Sequence, residues 1–205
     1  MSLSLLLELI DPLYERIKEQ MPDLKQEWLS AEIGKIKNDL KHHINEITSK
    51  IRSILKTKLI EQCNELKKMN WANTQEKINI PTKHSASILH NTRQIYKTIE
   101  DYLSKENLIE IFNVIFSDIK DYYLPIFQAT SVESKLAAKR YELLFDYYLI
   151  NLLNRLKEEL KYFCDDLYQI PIFQVPELKY ADFEDKIFAI LEEKCNHFLE
   201  ATALH

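Results

Sequence analysis

The sequence predicts an all-α protein, an elongated helical bundle of stacked antiparallel helices built on one long helix over about 24–69. Three observations predict it. The 205 residues contain a single glycine, where ordinary usage of roughly 7% would supply about fourteen. The Asn-Gly and Asp-Gly turns that make β-hairpins are absent, which argues against an all-β chain. Apolar residues recur at steps of three and four through nearly the whole sequence, the period of a helix with one buried stripe. With 46% hydrophobic residues the chain has enough apolar surface for a sizeable core.

The first elements are set by prolines. Asp11-Pro12 fits a cap followed by proline at the first helical position, so 2–10 and 12–20 are expected as two short helices or one bent one. Met21-Pro22-Asp23 is the first clear break, because Pro22 disfavours the α region at Met21 and Asp23 can cap the next helix. That long helix carries Leu29, Ile33, Ile36, Leu40, Ile44, Ile47, Ile51, Ile54, Leu55, Leu59, Cys63 and Leu66 on one stripe. At 1.5 Å per residue it spans about 70 Å. The lone glycine, Gly34, falls inside it, where the missing Cβ could admit a close neighbour or a bend.

Residues 70–82 are the main internal break and read as a polar loop. A helix follows from about Lys83 to Leu103, with Ile88, Leu89, Ile95, Tyr96, Ile99, Tyr102 and Leu103 turned inward. Ser104 caps the next, over 105–128. Its circumference is widely apolar (Leu108, Ile109, Ile111, Phe112, Ile115, Phe116, Ile119, Tyr122, Tyr123), which places it centrally. Pro125 should kink or end it. Thr130 and Glu133 fit a capping box opening a helix to about Asp166, with Leu136, Leu143, Leu144, Tyr147, Ile150, Leu153, Leu156 and Leu160 as candidate core. Pro171 and Pro176 bracket an extended connection. A last helix runs over about 178–202, with Phe183, Ile187, Ile190, Leu191, Phe198 and Leu199 inward. Short links favour antiparallel neighbours, and the whole reads as a single elongated domain over 1–205.

The glycine count also excludes chemistry. Gly-rich phosphate loops and the nucleophile elbow need several glycines. Cys63, Cys164 and Cys195 are odd in number and scattered, which fits a reducing compartment rather than a disulfide framework. No metal motif is present. His42/Glu46 and Glu193/His197 lie one turn apart and read as solvated pairs, as do Glu158-Glu159, Asp165-Asp166, Asp182-x-Glu184-Asp185 and Glu192-Glu193, the carboxylates being able to form an acidic face for a basic partner. Neither a catalytic residue nor a cofactor site is expected, so the chain reads as a non-enzyme without metal or cofactor. No stretch approaches 18 uncharged apolar residues, so no transmembrane span is expected. The apolar start lacks a basic region before it, so it reads as a helix cut from a longer chain rather than as a signal peptide.

Charge is uneven although the net is −5. Residues 35–68 hold nine Lys/Arg against four Asp/Glu, and residues 100–205 hold eleven against twenty. The basic stretch is too diluted by Asp39 and Glu46 for a phosphate-binding face, so no nucleic acid is expected. It reads instead as the polar side of a helix facing an acidic neighbour. Eleven tyrosines exceed packing needs. Tyr122-Tyr123 and Tyr147-Tyr148 each place one ring outward, and an outward tyrosine is a protein-contact candidate. Tyr123, Tyr148, Lys35, Lys41 and Arg52 are therefore the candidate interaction surface.

Four pieces of 59–150 resemble the C-terminal region of a tethering-subunit family, in that family's order. They are Cys63 to Trp71, Ile95 to Leu103, Ile111 to Phe116, and Ala138-Lys139-Arg140 with Leu143-Leu144 and Asp146. The family is that of the fifty-fourth vacuolar protein sorting subunit, part of the Golgi-associated retrograde protein (GARP) complex. Tyr96 stands where that pattern has His, Ser104 where Pro usually follows, and the Ala-Lys-Arg spacing is one short. The resemblance implies a non-catalytic, rod-type helical fragment of a larger subunit, acting in retrograde endosome-to-Golgi vesicle tethering. It implies tethering-complex subunits as partners, with SNAREs or endosomal membrane proteins beyond them. It implies a cytoplasmic chain, peripheral on trans-Golgi network and endosome membranes. An exocyst-type subunit and a stand-alone bacterial effector or adaptor are the alternatives.

Overall fold

The computed structural model describes residues 3–71, 79–129 and 142–203, with side chains from Leu6 onward except at 23–24, 142–149 and 197–203. All regular structure among the described residues is helical: α1 (Leu3–Lys18), α2 (Asp23–Lys68), α3 (Lys83–Ile99), α4 (Lys105–Tyr122), α5 (Leu124–Ala129), α6 (Glu142–Tyr168) and α7 (Tyr180–Ala203). The all-α expectation is met. Pro12 sits inside one continuous α1. It lies on the exposed side, so the carbonyl its ring cannot serve is open to water rather than buried.

The 46 residues of α2 form the axis of the molecule. Its N-terminal half lies against α1, which returns antiparallel: Gln26 donates to the Met21 carbonyl at 3.2 Å, and Lys37 pairs with Asp11. Its C-terminal half lies against α3 and α4. Lys58 reaches Asn91 at 3.4 Å and Gln62 meets His84 at 2.9 Å, so α3 runs antiparallel to α2. Capping follows residue chemistry. Thr82 and Ser104 accept from the backbone N–H groups of Ser85 and Asn107 at the starts of α3 and α4, each satisfying an orphan donor. Pro22, rather than Asp23, occupies the α2 cap.

The chain breaks near Pro125 as expected, while the end of the third helix, the Pro171–Pro176 connection and the buried face of α6 differ from expectation. The third helix stops at Ile99, four residues early, which leaves Tyr102 61% exposed instead of inward. Helix α4 breaks at Tyr123 and resumes as α5, because Pro125 has no N–H for the ladder. The Pro171 and Pro176 connection is not extended but two short 3-10 turns, Pro171–Gln174 and Pro176–Leu178, each with proline at its start. On α6, Ile150 is exposed, while Leu152, Phe163, Cys164 and Leu167 join Leu156 and Leu160 inside. The proposed capping box of Thr130 and Glu133, and the Leu136, Leu143, Leu144, Tyr147, Phe198 and Leu199 side chains, lie outside the described residues.

The core begins late. Among described side chains, Ile44 is the first that is buried, and continuous burial starts at Leu55. From there an aromatic centre forms between α4, the 3-10 turns and α7. The Phe116 ring lies 5.3 Å from Phe173 and 5.2 Å from Phe183. Tyr123 stacks on Phe163 at 4.0 Å and meets Phe127 at 4.9 Å. Such pairs add about 0.5–1.5 kcal/mol each beyond their burial.

Candidate interaction surface

Of the surface residues expected from sequence, the four with described side chains, Tyr123, Lys35, Lys41 and Arg52, are not brought together. Tyr123 is fully buried, which corrects its assignment as a contact residue. It continues the buried face of α4, four residues after Ile119 and seven after Phe116, so its ring enters the core, where its hydroxyl lies 3.0 Å from Ser85 Oγ. Burial, reinforced by the Glu159 charge, pushes its pKa well up. Its neighbour Tyr122 is the half-exposed one of the pair. The Tyr148 side chain lies outside the described residues. Lys35 and Lys41 are exposed on α2 and Arg52 is half-buried. At about 100° per residue, Lys35 and Lys41 point some 120° apart around the helix.

Much of the basic stretch is matched within the molecule. Lys35 holds Glu32 at 2.6 Å and Lys37 holds Asp11. Lys56 pairs with Asp118 of α4 at 2.7 Å, with its ammonium 5.2 Å from the Tyr122 ring centre. That pairing is the basic helix face meeting an acidic neighbour, as the charge pattern suggests. His42 and His43 both lie 3.3 Å from Glu46 in exposed positions.

Adjacent carboxylates divide instead of sharing one environment. Glu158 is exposed, but Glu159 is fully buried, against the expectation of a solvated pair. Its carboxylate accepts from the Thr82 N–H at 2.9 Å and from the Thr82 hydroxyl at 2.7 Å. Ser85 and Tyr123 extend the network. Asp166 is engaged by Arg93 at 2.9 Å, while Asp165 faces outward. A buried charge needs such partners, so this network locks α6 to the start of α3. Its role is to hold the helices together.

The exposed apolar residues do converge. Leu9, Leu13, Ile17, Trp28, Ile36, Ile47 and Ile54 are all exposed, Trp28 to 63%. Each stands one position before a less exposed residue: Ile10, Tyr14, Lys18, Leu29, Lys37, Thr48 and Leu55. All are thus turned the same way from the contact line of their helix. In an antiparallel pair, equal turns lead to the same side, so Leu9, Leu13, Ile17, Trp28 and Ile36 form an apolar stripe on one side of the α1–α2 hairpin, which Ile47 and Ile54 continue along α2 toward α3 and α4. Glu32, Asp39, His43 and Lys50 share its phase on α2 and interrupt it with both signs of charge. The three-four pattern of α2 hides this stripe, since Ile36, Ile47 and Ile54 fall in step with the core residues. The seven-residue spacing of Ile47 and Ile54, and Trp28 beside Leu29, are the signals that could reveal it.

Residues 1–58 match the model of the Vps54 family, described as Vps54-like protein. The family is the one suggested by the motifs of 59–150, but the matched stretch is the other one. It takes in α1 and α2 as far as Lys58, and with them the whole apolar stripe. No curated protein and no solved structure matches the chain. The Vps54-like match points to a vesicle-tethering subunit, a family generally non-catalytic. No helix among the described residues is long and apolar enough to cross a membrane.

Proposed function

We propose that this chain is a non-catalytic helical piece of a vesicle-tethering subunit acting in retrograde endosome-to-Golgi transport. Its α1–α2 stripe would be the surface that packs against a helix of another subunit of the tethering complex. The observation that carries the reading is the coincidence of the Vps54-like match over 1–58 with a hairpin whose described side chains include few that are buried before Leu55. A helix pair with apolar residues left on one face is completed by a further helical layer. Lys35, Lys41 and Arg52 would then supply charged contacts around that layer, and SNAREs or endosomal membrane proteins would be reached through the assembled complex. The chain would sit peripherally on trans-Golgi network and endosome membranes.

The test is reconstitution with the other subunits of the tethering complex. Trp28→Glu with Leu13→Glu should abolish co-purification while the thermal midpoint falls little, because both side chains are exposed. Lys105→Glu, exposed on α4, should leave co-purification intact. Cells carrying the double variant should return endosomal cargo to the Golgi more slowly. Unaltered co-purification of the double variant would sink the assignment of the stripe. Normal cargo return in cells lacking the protein would sink the retrograde reading itself.

A further inference from the structure

A second site lies where α6 turns back into α7. The last turn of α6, the two 3-10 turns and the first turn of α7 enclose a surface cleft of about 770 Å³. Tyr168 and Tyr180 form an aromatic wall, with ring centres 5.1 Å apart and planes inclined by 46°. The Tyr180 hydroxyl donates to the Cys164 carbonyl at 2.6 Å, which fixes its ring. The Gln174 amide donates to the Tyr168 carbonyl at 3.0 Å and ties the 3-10 turn to the end of α6. Tyr168 keeps 45% of its surface exposed.

Asp165 and Glu184 line the same cleft. Neither carboxylate has a hydrogen bond or ion pair among the described residues, whereas the adjacent Asp166 is engaged by Arg93. Asp165 and Glu184 both act on the Tyr180 hydroxyl and on the Cys164 thiol, where they add to burial in raising the pKa. The carbonyl end of α6 adds negative potential, and the amino end of α7 and Lys179 oppose it.

We propose that this cleft receives an arginine side chain from a basic partner protein, stacked on Tyr168 and paired with Asp165 and Glu184. An aromatic face with free carboxylates at its edge suits a guanidinium better than an ammonium. The planar group stacks on the ring and offers paired donors to a carboxylate. The surrounding chain has the complementary sign, with nine more acidic than basic residues over 100–205. The site is built from residues 164–184 and does not depend on the tethering reading.

The test is a nuclear magnetic resonance titration of the full chain with acetyl-Ala-Arg-Ala-amide and its citrulline counterpart, which keeps the shape and loses the charge. The arginine peptide should shift the amides of 165–184 and saturate, and the citrulline peptide should bind at least tenfold more weakly. Asp165→Asn with Glu184→Gln should weaken arginine binding at least tenfold. Tyr168→Ala should weaken it several-fold, and Lys179→Ala should tighten it. All four side chains are exposed, so the variants should keep the native circular dichroism spectrum. Equal affinity for the two peptides overturns the proposal. So does a response spread over the acidic surface that is indifferent to Tyr168.

Discussion

At the scale of single residues, the decisive groups are polar ones in apolar places. Glu159 looks in sequence like half of a solvated pair. Its burial follows from position: it lies three residues after Leu156 and four before Phe163, so it faces inward with them. Glu159→Ala would leave the Thr82 N–H and hydroxyl without their acceptor, at a cost of about 2–3 kcal/mol. Chemical denaturation would read this as a lower midpoint at an unchanged slope. Burial pushes the Cys63 and Cys164 thiols up to about 12, so thiolate is scarce at neutral pH. Native protein at pH 8 should react quickly with a thiol reagent at one cysteine only, the exposed Cys195, and at all three after unfolding. Tyr123 and Tyr180 are both raised by burial. They stay protonated in the folded state, while the unfolded chain ionises near pH 10. The stability they carry is complete below pH 10 and lost as pH climbs above it. Tyrosinate absorbance should therefore show two rings that titrate only together with the loss of helix.

At the scale of elements, α2 is the case where local pattern and tertiary role part. Its apolar residues follow helical spacing over the whole length, and the helix forms over the expected span. Which of them are covered depends on neighbours that change along the axis, from α1 to α3 and α4. Gly34 belongs to this scale. A Cβ built there meets nothing within 4 Å, so neither a close neighbour nor a packing need explains it. Gly34→Ala should raise stability by up to about 1 kcal/mol, measured as a higher thermal midpoint. An unchanged or lower midpoint would mean that α1 approaches α2 more closely at this point. Ser104 caps α4 as its sequence position suggests, whereas Pro22 takes the place expected of Asp23, and Thr82, which does not stand out in sequence, caps α3. Thr82 and Ser104 act through nearest-neighbour backbone geometry.

At the scale of the whole molecule, burial is graded. The α1–α2 hairpin has one fully buried described side chain before Leu55, and the rest of the chain holds the aromatic core. Local opening free energies track such burial. Amide hydrogen exchange should be faster over 6–43 than over 55–68, although both belong largely to regular helix. Addition of the tethering-complex subunits should slow the first segment selectively. Uniform protection along α2 in the isolated chain would contradict a late-starting core. The two proposed contact regions differ in chemistry. The N-terminal stripe is apolar and extended, and the cleft at the start of α7 is aromatic and acidic.

The candidate surfaces are the least legible part. Tyr123 and Tyr148 stand out in sequence because doubled tyrosines must place one ring outward. For the first pair that holds, but the outward ring is Tyr122 and not Tyr123, since Tyr123 keeps the three-four phase of the buried Phe112, Phe116 and Ile119. Asp165, Tyr168, Tyr180 and Glu184 are spread over twenty residues and meet only because two 3-10 turns fold α7 back beside α6. The sequence by itself determined the helices, because glycine scarcity, proline placement, capping residues and three-four periodicity act within a few residues. Only the tertiary structure decided which apolar stripe is buried, which carboxylate is sealed and which tyrosine is exposed. Those outcomes depend on which helix covers which face, and that is settled by contacts between residues far apart in the chain.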